Sequence, residues 1–462
     1  MSQVVPAAAY DEAVAFTAER GWRVVVVPRP DSTTLALRWL VAAGSSHDDA
    51  RPGLSRLTER LVYQARAPRR RDLCAALAAL GGEAASQTTR EYAEFHALAP
   101  APECHALLAL LPELARPPAL GRTVVARAQA ALLGALTVPA PPADSLWDLL
   151  LAALWGDHPL ARPPGGTLAS LAALQPRHVA AHHAAHYGPA RAVLAVAGAC
   201  TLDEVRAAAA ALPAWPAPPD PLPEHPATAG PVAGQEVAQP APPSAALPPA
   251  PAATPALAPG VPSFQGPGAP IFQGPGARYR WAPGAVTRVA VAVPVPGMAH
   301  PHHAALRLLD YLLGRGGSAR LYHELRLRHQ LAYTCGSAYM PYAAAGVFAA
   351  HAICAPDDAP TVARLLADSL LGLAATPPAD AEVAAAQTRY AGNLHRAFET
   401  NASLTAILGV ETLLASWEPF AQSAARVAAV TPADVAAVAR AYFRPDRLVH
   451  AAVGPLDPTV TQ

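Results

Sequence analysis

The sequence predicts an α+β protein of two homologous domains, each a mixed, mostly antiparallel sheet packed with helices, joined by a Pro/Ala-rich linker. Strand-like and helix-like segments are interspersed in both halves, which is typical of the α+β class. The halves also share residues at one offset of 256 positions, as in Pro176 with Pro432 and Gly198 with Gly454. An offset of this size indicates a duplicated domain, since solenoid repeats are far shorter. Between the copies, 20 of the 52 prolines lie in the segment Pro213–Pro275.

The proline-rich segment sets the predicted domain boundaries. Proline fixes φ and removes a backbone donor, so a stretch of Pro and Ala with few charges cannot build a packed core and favours extended conformations. We therefore predict a first domain over residues 1–212, a semi-stiff linker over 213–279 and a second domain over 280–462. A chain of 462 residues is also too long for one ordinary hydrophobic core.

The elements of the first domain follow from residue type and spacing. Runs of β-branched residues predict strands, and apolar residues at helical spacing predict helices. The predicted elements are strands at 22–27 and 34–43, helices at 52–66 and 70–80, a strand pair within 83–99, and Ala- and Leu-rich helices between 103 and 155. The domain ends on a helix, a Pro turn and an apolar strand that closes at Gly198.

The second domain is predicted in the same way. Its elements are strands at 288–295, 332–340 and 346–354, with helices at 301–313 and 318–328. It ends on a second copy of the helix, Pro turn and strand that closes at Gly454.

Bulk composition excludes several functional classes. The formal net charge is zero and no basic block extends beyond Arg69–Arg71, so a nucleic-acid partner is not expected. Five scattered cysteines without a C-x-x-C pair argue against a disulfide framework or a Cys-rich zinc site, and favour a reducing compartment. We find no secretory signal and no apolar run of the ~18–20 residues that cross a bilayer. The expectation is a soluble, cytoplasmic protein without a membrane partner.

The most informative motif is Arg56-x-x-Glu59-Arg60. It has the spacing of the inverted zinc-peptidase helix, H-x-x-E-H, with arginine at both histidine positions. A guanidinium has five donors and no free lone pair, whereas zinc takes neutral imidazole, thiolate or carboxylate. We therefore expect Glu59 to form an ion pair with Arg56 or Arg60 on the helix surface, or, alternatively, to be neutralised by guanidiniums that replace the charge of a lost metal.

These residues resemble the pitrilysin/insulinase family of inverted zinc metallopeptidases, and the similarity spans both halves outside the linker. Further similar segments are Ser86-Gln-Thr-Thr-Arg-Glu91, His158-Pro-Leu160 and Ser318 to Tyr333. In active members of the family two histidines and a distal glutamate bind zinc. The resemblance places the distal glutamate within 124–131, where this chain has no acidic residue. It therefore implies no metal or other cofactor in this chain.

The same resemblance assigns a substrate-binding role to Arg326 and Tyr333. Family members carry an arginine and, seven residues later, a tyrosine, which hold the substrate backbone. An arginine fork can donate to peptide carbonyls, and a tyrosine hydroxyl can donate to a carbonyl or a developing oxyanion. The alternative is that both are ordinary residues of a helix–strand junction.

The resemblance implies a non-catalytic, substrate-holding subunit of a heterodimeric zinc metallopeptidase. A partner subunit would supply H-x-x-E-H and zinc, and a peptide or small unfolded protein would be cleaved in an enclosed chamber. The main alternative is a peptidase-dead structural or scaffold subunit of a larger complex. A third is an enzyme with its own metal at His178, His182 and His186, which share a helix face. The group His300, His302 and His303 is expected to be a solvated turn.

Overall fold

The computed structural model describes residues 13–64, 73–138, 142–215, 277–415 and 420–456. The Arg69–Arg71 triplet and most of the predicted linker lie outside the described residues. Within the described part of the chain, no helix is both long and apolar enough to cross a membrane.

The first half contains short and long helices around six strands. In chain order the elements are β1 (Val14–Thr17), β2 (Arg23–Pro28), β3 (Thr34–Val41), α1 (Leu54–Gln64), α2 (Leu73–Ala79), β4 (Glu83–Thr88), β5 (Ala93–Pro100), α3 (Cys104–Leu108), α4 (Leu111–Leu114), α5 (Arg122–Thr137), α6 (Pro142–Trp155), α7 (Leu168–Ala172), α8 (Pro176–His186), β6 (Ala192–Gly198) and α9 (Leu202–Ala210).

The second half repeats much of this order. Its elements are β7 (Arg278–Trp281), β8 (Thr287–Pro296), α10 (His303–Leu313), a π-helix (Tyr322–Arg328), β9 (Ala332–Pro341), β10 (Ala345–Cys354), α11 (Ala359–Ala375), α12 (Asp380–Ala397), α13 (Asn401–Leu414), α14 (Phe420–Ala428), α15 (Pro432–Tyr442) and β11 (Val449–Gly454).

Each half forms one sheet, and the five strands of the second sheet follow the same order as β2 to β4 in the first, which has β1 as an additional edge strand. The strand order is β1-β2-β6-β3-β5-β4 in the first and β7-β11-β8-β10-β9 in the second. The pairs β2–β6 and β7–β11 are parallel, and the other pairs are antiparallel. Helix α15 also begins 256 residues after α8. The prediction of two homologous, mixed and mostly antiparallel α+β domains is therefore confirmed.

The described residues divide into two compact units. The first takes the described residues within Met1–Pro139, Arg162–Leu222 and Leu394–Gln422, and the second takes those within Ala140–Ala161, Pro223–Asn393 and Ser423–Gln462. Each unit thus takes a segment from the other half of the sequence. The predicted domain boundaries at residues 212 and 280 stay a prediction. In the structure, α6 of the first half belongs to the second unit and α13 of the second half belongs to the first unit.

The segment gained by the first unit is helix α13. Asn401 at its start donates a hydrogen bond from Nδ2 to the carbonyl oxygen of Thr34, 2.9 Å away, which ties the helix to β3. Further along, a Cβ at Gly409 would meet Cδ1 of Leu40 at 2.3 Å, so a larger residue there would force the buried Leu40 side chain to shift. Leu404 and Leu408 are fully buried.

The segment gained by the second unit is helix α6. Leu150, Leu151 and Leu154 are almost completely buried in one cluster with the apolar side chains of β8, β10 and β11. The ring of Trp155 lies edge-on to Tyr342 at a centroid distance of 5.4 Å. Because this cluster joins α6 to three strands of the second sheet, the core of the second unit depends on a helix encoded in the first half.

Candidate functional site

Helix α1 carries the degenerate motif, and its start is set by Asp48. The Asp48 carboxylate accepts hydrogen bonds from the backbone N–H groups of Gly53 and Ser55, both at 2.7 Å, and so satisfies donors that have no partner within the helix. Burial raises the pKa of this carboxyl to about 6, although the hydrogen bonds and Arg162 oppose the shift. Gly53 has a φ of +90°, a conformation that favours glycine. The apolar face of α1, with Leu57 and Leu61, is buried.

Glu59, the retained member of the catalytic set, is a buried structural group. Only 2% of the residue is exposed. Its carboxylate accepts hydrogen bonds from Arg56 Nη1 at 2.5 Å, from the Ser86 hydroxyl, and from the Thr88 hydroxyl at 3.1 Å. The expected ion pair is therefore formed with Arg56, but the expectation that it lies on the helix surface was wrong. Since strand β4 supplies two donors, the carboxylate is held against the sheet and is not free to activate water.

The residues at the zinc-ligand positions do not fit a zinc ion. Arg56 is turned toward Glu59 with 31% of its side chain exposed, and Arg60 has no acidic partner among the described residues. Helix α5, which holds the segment matching the distal ligand, packs against α1 with Val124, Val125 and Ala128. Neither guanidiniums nor alkyl groups offer a lone pair to a metal.

Arg326 and Tyr333 are brought together by the π-helix and β9. The guanidinium carbon of Arg326 lies 4.1 Å from the centroid of the Tyr333 ring and 5.0 Å from that of Tyr322. Arg326 Nη1 also donates to the carbonyl oxygen of Tyr333 at 3.4 Å. Tyr333 is 79% exposed, which is unusual for so large an aromatic residue. The sequence prediction named two residues, and the structure stacks the half-buried Arg326 on the exposed ring of Tyr333.

The local sequence explains how this pair is presented. Leu321 and Leu325 are fully buried and anchor one face of the helix. Arg320 makes two hydrogen bonds to the carboxylate of Glu382, at 2.6 and 2.9 Å, which hold the start of the segment against α12. Gln330 has a φ of 57°, rare for a residue other than glycine, and turns the chain from the helix into β9. π-Helical segments are rare and frequently lie at functional sites.

Two family models match this chain. The model described as "Insulinase (Peptidase family M16)" matches residues 23–167, and the model described as "Peptidase M16 inactive domain" matches residues 173–390. Together they span most of both halves.

The chain belongs to the M16 peptidase family.

Its relatives in that family include an uncharacterized zinc protease of Mycobacterium leprae, 27% identical over 399 residues, with 84% of this chain and 80% of the relative covered. An uncharacterized zinc protease of Mycobacterium tuberculosis is 26% identical over 439 residues, covering 94% of this chain and 91% of the relative. Both relatives are named as zinc proteases. This M16 chain has arginines at 56 and 60 and no acidic residue in 124–131, the positions where the family's zinc ligands are expected.

Solved M16 structures share the fold. The peptidase M16 inactive domain from Pseudomonas fluorescens superposes with a TM-score of 0.76 at 20% identity, covering 97% of this chain and 98% of the other. A protease from Helicobacter pylori gives a TM-score of 0.76 at 17% identity, covering 96% and 99%. At these identities the likeness establishes the fold alone.

His302 and His303 of this M16 chain do not lie in the solvated turn that was expected for His300, His302 and His303. His302 is 4% exposed, and its ring Nδ1 lies 2.9 Å from the hydroxyl of Tyr442; His303 Nδ1 lies 3.0 Å from that of Tyr339. The expectation of a solvated turn was wrong, because the strand and helix that supply the tyrosines are distant in sequence. Among the described residues, no group of three or more His, Cys, Asp or Glu side chains could hold a metal, which argues against the metal row on α8.

Proposed function

We propose that this chain is the non-catalytic, substrate-holding subunit of a heterodimeric zinc metallopeptidase that cleaves peptides or small unfolded proteins in an enclosed chamber. The observation that carries the proposal is the pair of half-buried Arg326 and exposed Tyr333 on a chain whose own zinc-ligand positions cannot bind zinc. A partner subunit bearing H-x-x-E-H would supply the zinc. The proposed location is the cytoplasm.

The chemistry of the pair supports substrate holding. Arg326 has five N–H donors, and within the described residues one weak hydrogen bond, to the Tyr333 carbonyl, uses one of them. The Tyr333 hydroxyl has no partner among the described residues. Stacking on two rings restricts the guanidinium before any ligand arrives, so less conformational entropy is lost when it donates to a peptide carbonyl.

The position of the pair on the sheet also supports peptide binding. Tyr333 belongs to β9, the last strand in the order of the second sheet, which pairs on one side with β10. Tyr333 itself lies at a register shift in that pairing, between Ala332 and Thr334. An edge strand presents unpaired backbone N–H and C=O groups to which an extended peptide can add as a further strand. A peptide bound there would run alongside Tyr333, with its carbonyls within reach of the hydroxyl and of Arg326.

The experiment is reconstitution of peptidase activity with the partner recovered from the native host. The complex must contain a chain with H-x-x-E-H and must hydrolyse an unfolded polypeptide in a zinc-dependent way. Arg326→Ala and Tyr333→Phe are each expected to lower the activity about 10- to 100-fold, since each removes a donor to the substrate or to a developing oxyanion. Arg328→Ala is the matched control, because Arg328 lies on the same π-helix with 73% of its side chain exposed.

The results separate this proposal from its rival, a peptidase-dead scaffold subunit. The rival is favoured by one observation: Glu59 is locked by three donors and acts as a structural group. A scaffold subunit would bind partners without holding a substrate, so its complex is expected to show no zinc-dependent peptidase activity. The Arg326–Tyr333 pair would then have no role in substrate binding. Activity that is equal in the Arg326, Tyr333 and Arg328 variants would also reject substrate holding by this pair.

A further inference from the structure

Strand β7 is a free edge of the second sheet. It is the first strand in the order of that sheet and, within the described residues, pairs with β11 alone. An edge strand presents backbone N–H and C=O groups to which an extended segment can add. The strand lies at the edge opposite to β9, so what binds there is independent of the proposed role of the Arg326–Tyr333 pair.

Three arginines lie on one face of the sheet at this edge. Arg278 of β7 lies opposite Ala451 of β11. Arg280 of β7 and Arg288 of β8 lie opposite Val453 of β11, from its two sides. Residues that lie opposite one another in a sheet share a face. Ala451 and Val453 belong to the apolar cluster that contains α6, so the three arginines are on the α6 side of the sheet.

This group of arginines has no counter-charge among the described residues. None of the three forms an ion pair there, and Arg278 Nη1 donates to the carbonyl oxygen of its neighbour Ala277 at 3.1 Å. The segment 277–309, which contains β7 and β8, has no Asp or Glu, and neither has β11. Arg280 is exposed and the other two are half-buried. The edge therefore presents positive charge of one sign.

The opposite face of β7 is aromatic. Side chains alternate along a strand, so Tyr279 and Trp281 lie on the face away from the arginines. The Tyr279 hydroxyl lies 2.7 Å from the carbonyl oxygen of Gly454 and 2.9 Å from that of Leu456, which fixes its ring. Trp281 lies opposite Gly454, which has no side chain to cover the indole, and 61% of Trp281 is exposed. Trp and Arg are both enriched at protein interfaces.

The charge of the edge selects its occupant. Charged residues and short length often protect edge strands from association. Here the charge has one sign, so a second copy of β7 would place arginines against arginines, and like charges opposite one another destabilise a strand pair. A segment with acidic side chains on the α6 side would be attracted. The large exposed indole on the other face favours apolar side chains at the alternate positions.

We propose that β7 binds an extended segment of a partner protein in which acidic residues alternate with apolar residues. The segment adds to the second sheet as a further strand, with its acidic side chains beside Arg278 and Arg280 and its apolar side chains beside Trp281. Neighbouring strands are about 4.8 Å apart, so the added strand lies about 14 Å from β8. That distance exceeds the Debye length of about 8 Å at physiological ionic strength, so Arg288 contributes little.

The test is fluorescence anisotropy of the full chain with labelled peptides at physiological ionic strength. A peptide of alternating Glu and Val should bind. A Gln-Val peptide, which lacks the charge, and a Glu-Pro peptide, which keeps the charge but cannot pair as a strand, should each bind at least about tenfold more weakly.

Variants of the chain locate the bound peptide. Arg278→Gln and Arg280→Gln should each weaken binding of the Glu-Val peptide about two- to fivefold, and Trp281→Ala about tenfold. Arg288→Gln is the matched control, because Arg288 lies on the same face but two strands from the edge, and it should bind as the natural chain does. Circular dichroism checks that each variant is folded.

Binding with this pattern supports the proposal, and three results would overturn it. Equal binding of the Glu-Val and Glu-Pro peptides would exclude strand addition. Equal weakening by Arg280→Gln and Arg288→Gln would indicate a diffuse attraction to the face. Weakening by Arg326→Ala, with no effect of Arg280→Gln, would place the peptide at β9.

A further variant tests whether this chain supplies the acidic segment itself. The segment 216–276 contains three acidic residues and no Lys or Arg. In the variant, Asp220, Glu224 and Glu236 are changed to the corresponding amides. Binding of the Glu-Val peptide by this variant and not by the natural chain would assign the edge to the chain's own segment and overturn the proposal of a partner. Absence of binding by both would also overturn it.

Discussion

Replacing Leu150 with alanine should destabilise the second unit, although Leu150 lies in the first half of the sequence. Helix α6 packs on the second sheet, and Leu150 is completely buried in the cluster that includes Ala290 and Val449. The equivalent test in the opposite direction is Leu408→Ala, because α13 lies in the second half of the sequence and packs on β3 and β6 of the first sheet. Leu408 is also completely buried.

The magnitude follows from the burial of these two side chains. Leucine to alanine removes three buried carbons, each worth about 0.8 kcal/mol of transfer free energy, or about 2.4 kcal/mol in total. The cavity left behind adds to this, since a helix held on both sides by packed residues cannot fully collapse, and measured leucine-to-alanine costs are about 2–5 kcal/mol. A loss of 2 kcal/mol raises the population of a locally open state about 30-fold.

The assay is native-state hydrogen exchange followed by mass spectrometry of peptides from each sheet. For Leu150→Ala, exchange should accelerate about 30-fold or more in β8 and β11 and remain near wild type in β2 and β6. For Leu408→Ala the pattern should be reversed, with faster exchange in β3 and β6. If each variant instead affects the sheet encoded in its own half of the sequence, the assignment of α6 and α13 to the opposite units is wrong.

Three further predictions concern the degenerate motif and a buried histidine. Arg56→Met should lower the free energy of unfolding, measured in urea, by about 1–3 kcal/mol, because the buried Glu59 carboxylate is left with hydroxyl donors alone. The same change should lower it by less in a Glu59→Gln background, and equal losses in both backgrounds would contradict the ion-pair argument. Burial lowers the pKa of His303 from 6.5 to about 3, so the neutral ring contributes to stability above pH 6.5 and this contribution is lost as the pH falls toward 3. Between pH 7.5 and pH 5 the free energy of unfolding of the wild type should fall by about 2 kcal/mol more than that of His303→Gln. Parallel pH profiles of the two proteins would refute this. Changing Arg56 and Arg60 together to histidine restores H-x-x-E-H but not the distal carboxylate. The zinc affinity of this variant, measured by equilibrium dialysis, should therefore be weak, and the variant alone should hydrolyse no unfolded polypeptide. Tight zinc binding or hydrolysis would show that another residue supplies the missing ligand.

Regular elements were predicted well where side-chain type repeats along the chain. The strands at 34–43, 332–340 and 346–354 and the helix at 52–66 correspond to β3, β9, β10 and α1 within a few residues. Each contains enough β-branched or helix-spaced apolar residues for local preference and burial to agree. The edge strands β1 and β7, of four residues each, were not predicted, because a short strand with half-exposed side chains carries too little periodicity.

The environment of the candidate site residues was the weaker part of the sequence prediction. The pairing of Glu59 with Arg56 followed from their spacing on a helix, whereas burial of the carboxylate depends on Ser86 and Thr88 of a strand far along the chain. The spacing of His178, His182 and His186 showed a common helix face, but not that the face borders a pocket with Arg51. Helical spacing is a local property, while burial and hydrogen-bond partners come from segments that meet only in the fold.

The sequence by itself determined the duplicated α+β architecture, the loss of the zinc ligands at Arg56 and Arg60, and the candidate pair Arg326 and Tyr333. These depend on residue identity, local spacing and one long offset, all of which can be read along the chain. Only the tertiary structure decided that α6 and α13 complete the opposite units and that Glu59 is sealed against β4. The physical reason is that an apolar helix face specifies that it must be buried but not which sheet buries it.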